Sequence, residues 1–326
     1  RFKCDWSSDV CSSDLAGGGG RGMRAVRDPA ELEEAYARCR SEAQAAFGIG
    51  EVYVERLVQQ ARHIEVQVLG DRSGSIVHLR ERECTIQRRH QKLVEIAPSP
   101  SLDASLRARI LEAALTLARA ARYDSLGTFE FLVDTTVPPD SPLAFAFIEA
   151  NPRLQVEHTV TEQVMGVDLV QTQIAVAGGA DLASLGLTQE ALGAPRGFAM
   201  QLRINMETLD ETGATHPSTG TLHAFEPPAG PGIRVDSFGY AGYRVSSSFD
   251  SLLAKLIAHS PSPRFEDVIQ KAQRALREFR IDGVATNLGF LEALLAHPAF
   301  RANEVSTRFI DERAAELARA PGLGKR

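Results

Sequence analysis

The chain is organised around the stretch Glu149-Ala-Asn-Pro-Arg-Leu-Gln-Val-Glu-His158. It follows an apolar run, residues 143–148, which predicts a buried strand. Polar side chains then recur at every second position, and a period of two places them on one face of an extended segment. These residues are Glu149, Asn151, Arg153, Gln155 and Glu157. Because such a face is costly without counter-charges, the pattern predicts a divalent metal and an anion bound along it.

A second strand supplies a further carboxylate. In residues 127–134, Phe129 and Phe131 share one face and Glu130 lies on the other. An antiparallel hairpin with residues 144–151 would bring Glu130 beside Glu149 and Asn151. Mg²⁺ prefers oxygen ligands and shares them with substrate phosphates. We therefore predict that Glu130, Glu149 and Asn151 hold Mg²⁺ or Mn²⁺. The alternative is a pair of solvated strand carboxylates.

Composition limits the class of protein. The 326 residues, 44% of them apolar, can bury a sizeable core and suggest two or more domains. A net charge of −6 argues against a general nucleic-acid binder. No apolar run approaches the roughly 18 residues of a membrane span, so no membrane partner is expected. The four cysteines show neither disulfide nor metal-type spacing, which favours a reducing cytoplasm.

The amino-terminal part holds two unusual segments. Residues 1–15 repeat Ser-Ser-Asp without an amphipathic period, and we set them aside as non-native or disordered sequence. Four consecutive glycines follow at residues 17–20. Their backbone N–H groups are unshielded and can approach an anion closely, which predicts a loop that covers phosphates. A flexible linker is the alternative.

The remaining patterns predict mixed helices and strands. Asp28-Pro29 is a typical helix start. An alternating strand at residues 63–69 and its hairpin partner at 76–79 favour an antiparallel sheet. The polar run 81–92 would ordinarily be a solvated face, but its flanking apolar strands and its Gln, His, Arg and Lys content also suit anion and ribose contacts. Further predicted elements are helices at 101–122 and 162–176 and a strand at 197–205.

Residues 16–311 resemble biotin carboxylase, the ATP-grasp component of biotin-dependent carboxylases. The resemblance rests on several motifs in order. They are Gly17-Gly-Gly-Gly-Arg-Gly-Met23, Arg62-His-Ile-Glu-Val-Gln-Val68, Gln87-Arg-Arg-His-Gln-Lys92, Gly127-Thr-Phe-Glu-Phe131, Glu149–His158, Arg203-Ile-Asn205, Asp250-Ser251, Asp282-Gly283 and Thr286-Asn287. It implies an α+β protein: an ATP-grasp domain with an antiparallel sheet at 16–195, incomplete at its amino terminus, then a smaller carboxy-terminal α+β domain at 196–311 and a tail at 312–326.

The resemblance also implies roles for particular residues. Gly19 and Gly20 would cover the ATP phosphates. The adenine pocket and ribose would be contacted by Glu55, Arg56, Leu57, Val58, His63, Gln87 and His90, and the metal ions by Glu130, Glu149 and Asn151. Bicarbonate would bind Lys92, Arg153, Gln155 and Val156. Glu157 would be the general base and Arg203 would stabilise the biotin enolate.

These roles imply an ATP-dependent ligase that carboxylates biotin with bicarbonate through carboxyphosphate. An Ala-Met-Lys-Met biotin-attachment motif is absent from the sequence, so biotin is expected on a carrier domain, with a carboxyltransferase, in cis or in trans. The acyl acceptor stays open among acetyl-CoA, propionyl-CoA and pyruvate. A homo-oligomer is expected.

The sequence departs from the family at its amino terminus. The family carries two lysines that contact ATP ahead of and near the glycine loop, and Ser13 stands at the nearer position. We therefore expect the fragment alone to be poorly active. Rival hypotheses are another ATP-grasp ligase, such as the carbamoyl-phosphate synthetase large chain, and an inactive scaffold domain.

Overall fold

A computed structural model of the protein describes residues 10–14, 24–246 and 248–319. The chain divides into two compact units, residues 1–60 and residues 61–326. The glycine loop at residues 17–20 lies outside the described residues, so the prediction for Gly19 and Gly20 stays a prediction.

The smaller unit is a three-stranded antiparallel sheet with one helix. Its elements are β1 (Val10–Asp14), β2 (Arg24–Val26), α1 (Leu32–Phe47) and β3 (Val52–Arg56). The sheet order is β2-β1-β3, so residues from the segment that we set aside form its central strand. The side chain of Asp28 accepts a hydrogen bond from Ala30 N at 2.9 Å ahead of a short 3₁₀ turn, which confirms the predicted helix start.

The larger unit contains a long series of strands and helices. Its strands are β4 (Ala61–Gly70), β5 (Ile76–Arg88), β6 (Gln91–Ala97), β7 (Ser125–Asp134), β8 (Phe145–Asn151), β9 (Phe198–Asn205), β10 (Glu207–Leu209), β11 (Thr215–Pro217), β12 (Gly220–Thr221), β13 (Ala224–Glu226), β14 (Ile233–Ser237), β15 (Arg244–Val245), β16 (Leu252–Ser260) and β17 (Arg280–Asp282). Its helices are α2 (Ala104–Ala120), α3 (His158–Met165), α4 (Leu169–Ala177), α5 (Phe265–Glu278), α6 (Leu288–Ala296), α7 (Pro298–Arg301) and α8 (Phe309–Arg319).

Eight strands form one sheet in the order β14-β16-β9-β6-β5-β4-β7-β8. Neighbouring strands are antiparallel throughout. The α+β class and the antiparallel sheet are therefore confirmed. The sheet includes strands from both sides of residue 195, and the domain boundary placed there stays a prediction.

Helices pack on this sheet through two sets of buried apolar residues. Asp103 caps α2 by accepting from Ser105 N and Leu106 N, and the apolar face of α2 packs on β4 and β7. Helices α5, α6 and α8 pack around β6, β9 and β16. Both sets of contacts bury apolar side chains of the sheet beneath helices.

The apolar run before Glu149 is not buried, contrary to prediction. Most of it forms β8, which among the described residues is the last strand in the sheet order and pairs with β7 alone. Leu143, Phe147 and Ile148 are 55%, 45% and 43% exposed. An apolar run of this length fits a strand, but its burial depends on what covers it, which periodicity does not report.

The extended segment also ends earlier than predicted. Pairing of β8 stops at Asn151, and Pro152, which has no N–H to donate, follows at once. Two helices then occupy the region predicted as one. Gly166, with φ of 70°, ends α3, and the side chain of Asp168 caps α4 by accepting from Gln171 N at 2.8 Å. The predicted single helix over 162–176 is therefore wrong.

Candidate active site

The predicted metal-binding residues lie together. In the β7–β8 pairing, Glu130 lies opposite Glu149, as the hairpin prediction required. Asn151 Nδ2 donates to Glu130 Oε1 at 2.8 Å and to Glu149 Oε1 at 3.1 Å. The two carboxylates supply oxygen donors of the kind that Mg²⁺ prefers. The Asn151 amide presents Nδ2 to them and would offer Oδ1 to an ion after a turn of the amide, so the residue types fit the ion.

Glu130 is held ionised, as a metal ligand must be. It is 3% exposed, and burial alone would raise its pKa. The hydrogen bond with His63 and the charge of Lys92 outweigh burial and lower the pKa of Glu130 to about 2. The carboxylate is therefore charged at neutral pH and requires cationic neighbours.

His63 contacts this carboxylate, and Gln87 contacts His63. His63 Nε2 lies 2.6 Å from Glu130 Oε2, and Gln87 Nε2 donates to His63 Nδ1 at 2.5 Å. Acceptance at Nδ1 leaves Nε2 to carry the proton donated to Glu130. His90 is exposed at the turn between β5 and β6, with φ of 66°. Ribose or adenine contacts of the three residues stay predictions.

Lys92 is the central cation of the site. Its Nζ lies 2.5 Å from Glu65, 2.5 Å from Glu157 and 3.4 Å from Glu130. Burial alone would lower the pKa of Lys92, but the charges of these carboxylates raise it well above its usual value. The ammonium therefore stays protonated and joins the metal-type carboxylate Glu130 to the predicted base Glu157.

Two other groups of side chains contain potential metal-ligand atoms, and the Lys92 ammonium accounts for how their carboxylates are balanced. His63, Glu65 and Glu130 offer ligand atoms within 4.8 Å of one another, and Glu65, Cys84 and Glu157 do the same. Lys92 contacts carboxylates of both groups. An internal cation thus offsets carboxylate charge in both groups, including that of Glu130, which also belongs to the Glu130–Glu149–Asn151 cluster.

Arg203 lies on the other side of Glu157. Its Nη2 donates to Glu157 Oε2 at 3.1 Å and its Nε donates to Glu95 Oε1 at 2.6 Å. Burial lowers the pKa of Arg203, but Glu95 and Glu157 outweigh that effect and raise it. The Arg203 side chain is 18% exposed, so it is not sealed from a bound anion.

Asn287 fixes the strand that carries Arg203. Its Nδ2 donates to Arg203 O at 2.9 Å, and its Oδ1 accepts from Asn205 N at 2.9 Å. The β6 pairing with β9 reaches only Leu202, so this carboxamide satisfies backbone groups where the neighbouring strand has ended. The Thr286-Asn287 motif therefore has a structural role beside Arg203.

The other residues predicted to bind bicarbonate differ in how close they lie to this cluster. Gln155 is buried, and its Nε2 donates to Glu130 Oε1 at 3.0 Å. The backbone oxygen of Val156 accepts from Lys255 Nζ at 3.2 Å. Arg153 is exposed, and its Nη2 lies 3.4 Å from Asn151 Oδ1. The structure thus brings Gln155 to the cluster and leaves Arg153 at its margin.

The predicted adenine-pocket residues belong to the smaller unit. Glu55 and Arg56 are exposed residues at the end of β3. Leu57 and Val58 follow it and are partly buried. Their contact with ATP stays a prediction.

Sequence reasoning missed several buried charged residues of the site. Arg82 is fully buried; it donates to Glu65 through Nε and, through Nη1, to Gln67 at 2.7 Å and Thr161 at 2.9 Å. Glu65 and Glu95 are likewise inaccessible to solvent. Alternation in residues 63–69 already places Glu65 on the face of His63, which was the available signal.

The run 81–92 is buried apart from the turn at 89–91 and the partly buried Lys92, so it is not a solvated face. Together these residues form a protected, highly charged cluster. It has a metal-type carboxylate pair at one end, a guanidinium at the other and a lysine between them. Such an arrangement suits transfer of a phosphoryl group onto a small anion, because charge developing in that reaction is met by fixed cations.

Comparisons with known proteins agree with this geometry. Residues 12–185 match the family described as carbamoyl-phosphate synthase L chain, ATP binding domain, and residues 201–312 match the biotin carboxylase C-terminal domain. Pyruvate carboxylase of Aspergillus niger is 48% identical over 297 residues, which are 91% of this chain and 24% of that protein. The chain thus spans about a quarter of the length of this relative.

Two solved structures show the same fold. The biotin carboxylase domain dimer of 2-oxoglutarate carboxylase from Hydrogenobacter thermophilus, in complex with MgADP, ADP and bicarbonate, has a TM-score of 0.86 and 38% identity; the match covers 96% of this chain and 66% of that one. The biotin carboxylase–βγ-ATP complex of Campylobacter jejuni has a TM-score of 0.86 and 40% identity, and covers 94% and 65%. Among the described residues, no helix has the length and apolar character to cross a membrane.

Proposed function

We propose that this chain, which belongs to the biotin carboxylase family, carries out the ATP-dependent carboxylation of biotin by bicarbonate. The observation that supports this proposal best is the position of Lys92. Its ammonium links Glu130, a metal-type carboxylate, to Glu157, which Arg203 also contacts. The residues proposed for the nucleotide-metal site and for the anion site thus lie in one buried cluster, which suits a reaction between ATP and bicarbonate.

Glu130, Glu149 and Asn151 would hold Mg²⁺ or Mn²⁺ at the phosphates of ATP. The bound ion would neutralise charge on those phosphates. His63 keeps Glu130 deprotonated and oriented through its hydrogen bond. The glycine loop at residues 17–20 would cover the phosphates and limit water at the site.

Bicarbonate would bind beside Lys92 and Gln155. Glu157 would take the bicarbonate proton as a bicarbonate oxygen attacks the γ-phosphorus, and ADP would leave. Lys92 and Arg203 both contact Glu157, so two fixed cations surround the base. The product, carboxyphosphate, breaks down to CO₂ and phosphate.

The released phosphate would take the N1 proton of the biotin ureido group. The enolate oxygen that results would be stabilised by Arg203 while the nitrogen attacks CO₂. The partly exposed guanidinium of Arg203 can receive that oxygen while Nε stays on Glu95.

We further propose that biotin arrives on a carrier domain and that a carboxyltransferase consumes the carboxybiotin. The relatives named above include a pyruvate carboxylase and a domain of a 2-oxoglutarate carboxylase. The acyl or keto-acid acceptor is therefore open, and a dimer of this domain is expected.

The test is ATP cleavage by the full-length protein that contains this chain. We expect cleavage that depends on bicarbonate and rises on addition of free biotin. Stimulation by ammonia instead would favour the carbamoyl-phosphate alternative. That alternative is weakened by the match of residues 201–312 to the biotin carboxylase C-terminal domain. No binding of Mg-ATP in calorimetry would favour a scaffold role.

A further inference from the structure

We propose that Glu95 is the positioning residue for Arg203 in the biotin-dependent half of the reaction. The proposal rests on the function proposed above, in which Arg203 contacts the biotin enolate. Glu95 itself is completely buried and cannot touch a substrate. It acts through Arg203 by fixing the orientation of the guanidinium.

Two donors fix the Glu95 carboxylate. Arg203 Nε donates to Oε1 at 2.6 Å, and Gln201 Nε2 donates to Oε2 at 2.9 Å. Gln201 is in turn held by the hydroxyl of Thr159, which donates to its Oε1 at 2.5 Å. Gln201 and Thr159 are both inaccessible to solvent. The carboxylate therefore has a single arrangement that satisfies both of its oxygens.

These contacts close a ring around the predicted base. Thr159 lies in the first turn of α3, directly after Glu157, which is the residue preceding that helix. Glu157 accepts from Arg203 Nη2 at 3.1 Å, and Arg203 returns to Glu95. The ring thus ties α3 to β9 and β6, and sets the distance between the base and the guanidinium.

Arg203 contacts two carboxylates with different surroundings. Glu157 is shared with Lys92, and the proposed reaction protonates it. Glu95 is buried behind Arg203. Its two carboxylate oxygens accept from Arg203 and Gln201, the donors described above. Because Glu95 still accepts from Arg203 Nε when Glu157 gains a proton, Arg203 keeps its place for the biotin step.

The chemistry of position 95 explains why an amide would not serve. A carboxylate accepts from two donors, whereas an amide offers one oxygen and one NH₂ group. In Glu95→Gln, either Arg203 Nε or Gln201 Nε2 would face another donor as the side chains now stand. Relief would require the Gln201 amide to turn over and the Thr159 hydroxyl to become an acceptor, which breaks the present ring of contacts. Exchanging the two groups in Glu95→Gln/Gln201→Glu restores complementarity: Thr159 and Gln at 95 would donate to Glu at 201, and Gln at 95 would accept from Arg203.

The experiment uses the full-length protein and compares wild type, Glu95→Gln and the exchanged double variant. Two rates are measured: bicarbonate-dependent ATP cleavage without biotin, and the additional cleavage that biotin elicits. A displacement of about 1 Å at a reacting group can cost 100-fold in rate. We expect Glu95→Gln to lower kcat/KM for biotin about ten-fold or more. The biotin-free rate should fall by a smaller factor, because Arg203 also contacts the base Glu157.

The exchanged variant should recover most of the biotin-dependent rate. A general loss of folding would lower both rates together and would not be rescued by a second buried substitution. Unchanged biotin kinetics in Glu95→Gln, or an exchanged variant that folds and stays as slow as Glu95→Gln, would overturn the proposal.

A structural readout separates this proposal from the proposed function. Crystal structures of the two variants should show the Arg203 guanidinium displaced in Glu95→Gln and returned in the exchanged variant. If wild type shows no bicarbonate-dependent cleavage, the proposed function fails and the Arg203 positions still decide the role of Glu95. An unmoved Arg203 in Glu95→Gln contradicts that role whatever the activity.

Discussion

Lys92 Nζ lies 2.5 Å from Glu157 Oε1, although the two residues are 65 positions apart in the chain. The contact joins β6 to the start of α3 in the interior of the larger unit. It places a permanently charged ammonium against the carboxylate that the proposed mechanism uses as a base. The stability and the activity of the site both depend on this pair.

Lys92→Met should destabilise the protein strongly. It leaves Glu65, Glu130 and Glu157 without their shared cation, and breaking a buried ion pair costs about 3–5 kcal/mol. Urea unfolding measures the loss in free energy. Adding Glu157→Gln to Lys92→Met should recover part of it, because one uncompensated charge is removed. A Lys92→Met protein as stable as wild type would contradict the central position of the ammonium.

Glu130→Gln should weaken metal binding. Glu130 and Glu149 converge on Asn151, and an amide in place of one carboxylate removes a charge that the ion needs. Loss of a group at a metal site costs at least about ten-fold in affinity. Titration of Mn²⁺ by electron paramagnetic resonance in the presence of ADP measures the effect.

Glu112→Gln, on the exposed side of α2, is the control and should bind Mn²⁺ as wild type does. Equal Mn²⁺ affinity for Glu130→Gln and wild type would remove Glu130 from the metal site.

Gly127→Ala should be poorly tolerated. A Cβ at Gly127 would lie 1.9 Å from Tyr123 Oη and 2.9 Å from Asn151 O. The Tyr123 side chain and the end of β8 would therefore both have to shift. Overpacking of this kind costs about 1–3 kcal/mol. Thermal unfolding measures it, and Gly193→Ala, where a Cβ meets open space, is the control.

Truncation of the hydroxyl in Tyr123→Phe/Gly127→Ala should recover part of the lost stability, since the closest clash is with Oη. Destabilisation of Gly127→Ala no greater than that of Gly193→Ala would show that this close approach does not exist.

Because of Asp71, the free energy of unfolding should decrease as the solution is acidified. Burial would raise the pKa of Asp71, but hydrogen bonds from Leu182 N, from the Ser73 hydroxyl and from backbone N–H groups of the turn lower it below 3.8. The folded state therefore binds this proton less readily than the unfolded state. The stabilisation is present above about pH 3.8 and is lost as the pH falls through the folded pKa.

The measurement is the unfolding free energy of wild type and Asp71→Asn across this range. We expect wild type to be more stable than Asp71→Asn at neutral pH. The difference in unfolding free energy between the two should narrow as the pH falls. The exposed Asp140→Asn is the control, and a gap that does not change with pH would contradict the prediction.

The sequence predicted the metal cluster because its pairing is local. Alternation indicates which side chains share a face, and a hairpin between the two strands brings Glu130 beside Glu149 and Asn151. The same reasoning failed for Leu143, Phe147 and Ile148, since alternation does not report that β8 is an edge strand.

The rest of the site depends on strand order, which periodicity does not specify. Glu95 meets Gln201 across 106 residues because β6 lies beside β9. No local pattern in residues 91–97 indicates that neighbour, and Glu95 therefore did not stand out. Arg82 was hidden for the same reason: its partner Thr161 lies on α3, 79 residues later.

The most direct test of the proposed function is the transfer of labelled carbon from bicarbonate to biotin. The full-length protein is incubated with ATP, Mg²⁺, free biotin and ¹⁴C-bicarbonate, and acid-labile carboxybiotin is counted. We predict ATP-dependent label in biotin that Glu157→Gln reduces at least about 100-fold, as expected for loss of a general base. Bicarbonate-dependent ATP cleavage with no label in biotin, and with stimulation by ammonia, would contradict the assignment.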